Sequence, residues 1–311
     1  MWWSDSISGV PARHDGPPHG GRGKEAKGVV VRDIRELRRL ATEMRLHIVR
    51  MMGENKAHHF GGSMSAADIV TALYFYKMRF NPQDPDWPDR DRFLMSKGHC
   101  VPAQYAALAM LGVFPLAELP TLKELGARLQ GHPAAHLLPG IEGCTGSLGQ
   151  GLSFSNGMAL AARVQGRSYK VYCLIGDGEL QEGQIWEAAM TAPSHSLGGL
   201  IAIIDWNGLK AMDKTSSAKP MEHMADRWEA FGWAVREIDG HDMAQICDAL
   251  DWADTNGDAP SLIIAQTVKG KGISFIEGRP EFHNAALTAE QLEQALSELE
   301  ADMYRVREDV I

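Results

Sequence analysis

The chain has 311 residues, 44% of them hydrophobic, enough for a large buried core. Its 31 Lys and Arg against 40 Asp and Glu leave a net charge of −9. That disfavours a nucleic-acid partner, because phosphate backbones are gripped by clustered basic residues. Four scattered cysteines without a C-x-x-C pair, no signal-peptide core and no apolar run of about 18 residues point to a cytoplasmic protein without a membrane segment.

Residues 1–28 contain Pro11, Gly16, Pro17, Pro18, Gly20, Gly21 and Gly23, with His14 and His19 among them. This is a turn-rich leader that cannot bury a core. Residues 29–311 are expected to form a single α/β domain. A helix is predicted over Val31–Met52, with Ile34, Leu37, Leu40, Ala41, Met44 and Ile48 on one face. Ser65 with Asp68 is expected to cap a second helix running to about Phe80. After a Pro/Asp loop over Asn81–Asp91, the first strand is Phe93–Met95, ending at Ser96-Lys97-Gly98-His99. Helices follow near 101–111 and 148–165.

Val171–Ile175 and Leu200–Asp205 are short, apolar, and closed by Gly or Asn, the pattern of buried parallel strands. Between them Glu182–Ala192 has helical spacing, and Pro193 with Gly198-Gly199 is expected to end it. Ala234–Ile238 and Ser261–Val268 supply two more strands, and Asp242 caps the helix between them. Thr288 with Gln291 forms a capping box for a closing helix to about residue 302. Alternating strands and helices, with no internal repeat, imply one doubly wound, mostly parallel sheet flanked by helices.

The chemistry concentrates at two strand ends. Gly176-Asp177-Gly178 follows one apolar run and Trp206-Asn207 the next. Asp177 and Asn207 thus emerge beyond the carboxyl ends of neighbouring strands, where open α/β sheets gather ligands. Two hard oxygen donors suit Mg²⁺ or Ca²⁺ rather than zinc, and Mg²⁺ completes its octahedron with phosphate and water. A metal–diphosphate clamp is the expectation. Gly176 and Gly178 would let the backbone approach the diphosphate.

Gly176-Asp177-Gly178-Glu179-Leu180-Gln181-Glu182-Gly183 followed by Trp186-Glu187-Ala188-Ala189 resembles the transketolase family, in particular the separately encoded amino-terminal subunit of a split transketolase. Ser96-Lys97-Gly98-His99, Gly131-His132-Pro133, Thr145–Gly151, Asp239-Gly240-His241-Asp242 and Thr267–Gly272 match in the same order, so the likeness spans roughly residues 30 to 300. The resemblance implies the thiamine-diphosphate-binding fold and thiamine diphosphate as cofactor, with the metal on Asp177, Asn207 and the Leu209 carbonyl. It places Gly146, Ser147 and Leu148 near the aminopyrimidine and thiazolium. His99 and His283 would approach the diphosphate and donor hydroxyls, His132 the C1 hydroxyl, and His59 the sugar hydroxyls. The other histidines, His241 included, have turn or helix-surface explanations. His58-His59-Phe60 departs from the family's usual Gly-His-Pro, and Asn284 stands where the family has Gly.

The resemblance also implies a second chain. A transketolase site needs a further domain with a glutamate that bonds the aminopyrimidine, and Glu182 matches the residue that meets it across the interface. The expected partner is a C-terminal transketolase subunit in an α2β2 assembly, acting on a sugar or sugar phosphate. Two alternatives stand beside this: the alpha subunit of a 2-oxo acid decarboxylating dehydrogenase, which shares the metal motif, and a non-catalytic cofactor-binding protein. Gly131-His132-Pro133 and Ser96–His99 belong to sugar handling and weigh against the first.

Overall fold

The computed structural model describes residues 30–53, 56–211, 213–217, 219 and 221–308; the leader expected over 1–28 lies outside them. The sheet has five strands, β1 (Arg92–Met95), β2 (Val171–Gly176), β3 (Leu200–Trp206), β4 (Ala234–Asp239) and β5 (Ser261–Gln266). Their order is β1-β2-β3-β5-β4 and every pairing is parallel. The central strands are apolar nearly throughout because helices cover both faces.

The pleat sends successive side chains to opposite faces, and they sort into two cores. Tyr172, Leu174, Ile201, Ile203 and Ile263 join a cluster with α1 (Ile34–Met52), α2 (Phe60–Ser65), α3 (Ala67–Ala72), α4 (Val101–Met110), α8 (Met243–Trp252) and α9 (Ala289–Glu308). Val171, Cys173, Ile175, Ala202, Ile204 and Leu262 pack against α5 (Gln150–Val164), α6 (Gly183–Ser194) and α7 (Met224–Phe231). Among the described residues no helix is long and apolar enough to cross a membrane.

Two expected caps hold. The Asp242 carboxylate accepts the amides of Ala244 and Gln245 at the start of α8. Thr288 and Gln291 exchange hydrogen bonds at 3.0 and 3.2 Å at the start of α9, which extends to Glu308 rather than 302, with Met303 buried in the same core as α1.

Other boundaries need correction. Ser65 is no helix cap: it ends α2, and its hydroxyl donates to Asp205 at 2.6 Å. The single helix expected from Ser65 to about Phe80 is instead α3 and a π turn, Leu73–Lys77, with α2 ahead of them. Pro193 does not end α6, which runs to Ser194. A proline there orphans the carbonyl four residues earlier, and the Trp233 indole donates to that Ala189 carbonyl at 2.8 Å. β5 stops at Gln266, because the Thr267 hydroxyl turns to donate to Asp205 and the Val268 amide donates to the His241 ring. The short α7, centred on buried Trp228, gave no recognisable start signal in the sequence.

Candidate active site

The ladder sets Gly176 opposite Asp205, so β2 and β3 end side by side. Asp177 and Asn207 follow directly, Lys97 lies just past β1, and Lys269 just past β5. A cavity of about 620 Å³ opens at these four carboxyl ends. Its lining includes His59, His99, His132, His283, Gly146, Leu148, Gly176, Asp177, Gly178, Asn207 and Leu209. The residues singled out in the sequence therefore converge on one place, with two exceptions. Ser147 is exposed and does not line the cavity; Glu182 is exposed at the start of α6, its carboxylate making no capping bond.

The two strand ends are tied together. Asp177 accepts the amides of Gly178 at 2.7 Å and Gly208 at 2.5 Å, while Asn207 Oδ1 accepts the Leu209 amide at 3.1 Å. Gly208 has φ +75°, which lets the loop turn its amide toward Asp177. Asp177 is 2% exposed and has no ion-pair partner among the described residues. Burial, and then neighbouring Asp205, push its carboxyl up to about 7 against the pull of the two amides. A buried carboxylate short of positive charge, beside an amide oxygen and a loop carbonyl, fits a hard divalent cation. Among the described residues no group of three His, Cys, Asp or Glu has a geometry that could hold a metal ion.

The cavity walls also suit an anion. Gly62 and Gly178 line the cavity; a Cβ on Gly62 would approach Cys100 Sγ to 2.5 Å, and one on Gly178 would meet Lys210 Cβ at 3.3 Å. Lys269 is buried, and its stem packs on Gly61. Its ammonium donates to the carbonyls of Leu209 (3.3 Å) and Lys210 (2.9 Å) and to His283 Nδ1 (3.1 Å). Burial pulls that ammonium down to about 8.

His59 stands at the centre of the histidine group. Its ring lies 4.9 Å from His99, 5.3 Å from His283 and 6.2 Å from His132. A two-way backbone pair, His58 with Ala285, fastens the loop bearing His59 to the loop bearing His283. Burial pulls His59 and His283 down to about 4, His99 well below its ordinary value, and His132 in the same direction, which favours neutral rings at pH 7. Because the Lys269 ammonium can only donate, His283 Nδ1 accepts and its proton sits on Nε2.

Three supports could not be read from the sequence. Lys97 pairs with fully buried Asp205 and donates to the Gly62 carbonyl at 3.1 Å. Burial opposes both charges, but their mutual attraction wins and lowers Asp205 while raising Lys97. Glu179 accepts from Ser96, Gly149 and Gly176. His241, expected as a turn residue, accepts the Val268 amide on Nε2 and donates from Nδ1 to Asp68 at 2.7 Å, where Arg45 also pairs. The motifs marked these positions, but their partners lie far away in sequence.

The family defined as the thiamine diphosphate binding domain of transketolase matches residues 37–311. The chain belongs to the transketolase family. It is 43% identical over 267 residues to a 6-deoxy-6-sulfo-D-fructose transketolase subunit of a Clostridium strain, covering 86% of this chain and 97% of that one. One subunit of the apulose-4-phosphate transketolase of Phocaeicola vulgatus is also 43% identical, with 85% and 94% covered. Among solved structures, Campylobacter jejuni transketolase superposes with a TM-score of 0.80 at 32% identity, covering 88% of this chain. The chain spans 46% of that protein, about half its length, but nearly the whole of the relatives named as subunits. It is an amino-terminal transketolase subunit by kinship, with the thiamine-diphosphate-binding fold.

Proposed function

We propose that this chain holds thiamine diphosphate through a Mg²⁺ ion and works with a partner subunit to move a two-carbon ketol unit from a ketose to an aldose. What carries the reading is the meeting, in one cavity, of Asp177, Asn207 and Leu209 with four neutral histidines. Asp177, Asn207 and the Leu209 carbonyl would hold the metal; Ca²⁺ offers the same hard-cation chemistry. Gly176, Gly178, His99 and Lys269 would face the diphosphate. Thiamine diphosphate, when bound, supplies the carbanion chemistry.

The chain's own part is to hold the donor and move its protons. Neutral imidazoles accept on one nitrogen and donate on the other, so His59, His99 and His132 suit the C3 and C1 hydroxyls of a ketose. His283, with its proton on Nε2, is a donor toward the cavity. The sugar is proposed to end in an anion, as the names of the two subunit relatives indicate for theirs. Exposed Ser147, between the cavity residues Gly146 and Leu148, and exposed Glu182, at the head of α6, would face the partner in an α2β2 assembly. A cytoplasmic location accompanies this reading, in keeping with four free cysteines.

The test is two-carbon transfer between a ketose and an aldose, with and without the co-expressed partner. Transfer by the pair and negligible transfer by this chain alone is expected. Robust turnover by the purified chain alone would refute the shared site, and turnover of a 2-oxo acid with an electron acceptor would favour the dehydrogenase alternative.

A further inference from the structure

Glu179 sits two residues past Asp177 and lines the cavity, yet its carboxylate is spent on the protein itself. Oε1 accepts the Ser96 hydroxyl at 2.5 Å and the Gly149 amide at 2.8 Å; Oε2 accepts the Gly176 amide at 3.1 Å. The donors come from three separate segments: the turn after β1, the loop before α5, and the end of β2. All three are hydrogen donors, which suits an ionised, acceptor-only carboxylate.

The loop before α5 is held at both ends. The Thr145 hydroxyl donates to the Met95 carbonyl at 2.6 Å, and Gly149, at φ +87°, gives its amide to Glu179. Gly98 and Gly151 press this loop against the turn after β1, since a Cβ on either would overlap Thr145 or Ser96. Between the two ties lie Gly146 and Leu148, both in the cavity wall; a Cβ on Gly146 would stand 3.3 Å from the His132 ring. The Gly176 tie is the least needed, because that residue is already fixed in the β2–β3 ladder.

We infer that Glu179 is a positioning residue that fixes the 146–148 segment over the cavity, and so governs grip on the organic part of the cofactor rather than on its metal and diphosphate. This rests on the cofactor reading above. Substrate and cofactor need not touch the carboxylate; it acts through Gly149 and Ser96.

The full chain is titrated with two probes, thiamine diphosphate and inorganic pyrophosphate, each with Mg²⁺. In Glu179→Ala, thiamine diphosphate affinity is expected to fall at least about tenfold while pyrophosphate affinity stays within about threefold, and the Gly149 amide should exchange faster with deuterium. Glu179→Gln should restore affinity to within about threefold, because its amide oxygen still accepts from Ser96 and Gly149. If Glu179→Ala does not fold, Ser96→Ala is expected to show the same selective loss on a smaller scale. Parallel loss of both probes, no loss of either, or a Gln variant as weak as the Ala variant would overturn the inference. A wild-type chain that binds neither probe would instead defeat the cofactor reading itself.

Discussion

The Asp177 carboxylate accepts the Gly208 amide at 2.5 Å, joining the turn after β2 to the loop after β3. One oxygen thereby orders the loop that carries both Asn207 and Leu209, so the three proposed metal donors share a single support. Asp177→Ala is expected to weaken Mg²⁺-dependent thiamine diphosphate binding by at least about 100-fold, beyond the roughly 10–100-fold typical for loss of a metal ligand's supporting partner alone. The melting temperature without metal should change little, because removing a buried carboxylate that lacks an ion-pair partner offsets the loss of its two amide bonds. Calorimetric titration alongside thermal melts checks both; unchanged cofactor affinity would remove the metal assignment.

Lys97 and Asp205 form a charge pair in the interior, with Ser65 and Thr267 completing the carboxylate's bonds. Removing one partner leaves the other charge buried and unpaired. Lys97→Met is expected to cost about 3–5 kcal/mol, and Lys97→Met with Asp205→Leu to recover much of it. Urea unfolding of both variants measures the difference, and a single variant as stable as the wild type would contradict the arrangement.

The histidine group makes stability depend on pH. Burial first, then neighbouring rings and lysines, hold His59 and His283 at about 4 against an ordinary value of 6.5. Between those values the unfolded chain binds more protons than the folded chain. Stability from these rings is therefore full above about pH 6.5 and is lost as pH falls toward 4. The urea midpoint should drop between pH 7 and 5, and the drop should be smaller in a His59→Gln, His283→Gln variant. Equal drops in both proteins would rule out the neutral group.

Pro193 stays inside α6 because Trp233 serves the carbonyl that the proline cannot. Trp233→Phe keeps the apolar bulk and leaves the Ala189 carbonyl unmet. A loss of about 1–3 kcal/mol in unfolding free energy is expected, the cost of an unsatisfied buried acceptor. In a Pro193→Ala background the same change would also break a bond, but the helix's own amide could take over that carbonyl, so the loss should shrink.

The sequence was most legible where local chemistry decides the structure. Apolar runs ending in Gly176 and Asn207 gave the β2–α6–β3 unit, and Asp242 and Thr288 announced their helices through bonds to residues two or three away. Eleven of the residues singled out line one cavity; strand ends pointed to Asp177 and Asn207, and the family resemblance to most of the others. What stayed hidden depends on contacts across the chain. Ser65 had the spacing of a cap, but Asp205, 140 residues later, claims its hydroxyl. Glu179 stood in the motif with no role of its own until the fold brought Ser96 and Gly149 to it. His241 likewise gained a role only when Asp68 and Val268 met around its ring.

Crystals of the full chain grown with thiamine diphosphate and Mn²⁺ in place of Mg²⁺ offer the most direct test, through the anomalous signal of the metal. One peak about 2.0–2.2 Å from oxygens of Asp177, Asn207 and Leu209, with the diphosphate on its open side, is the predicted result. A metal peak elsewhere, or Asp177 and Asn207 sharing no ion in crystals that hold the cofactor, would contradict it.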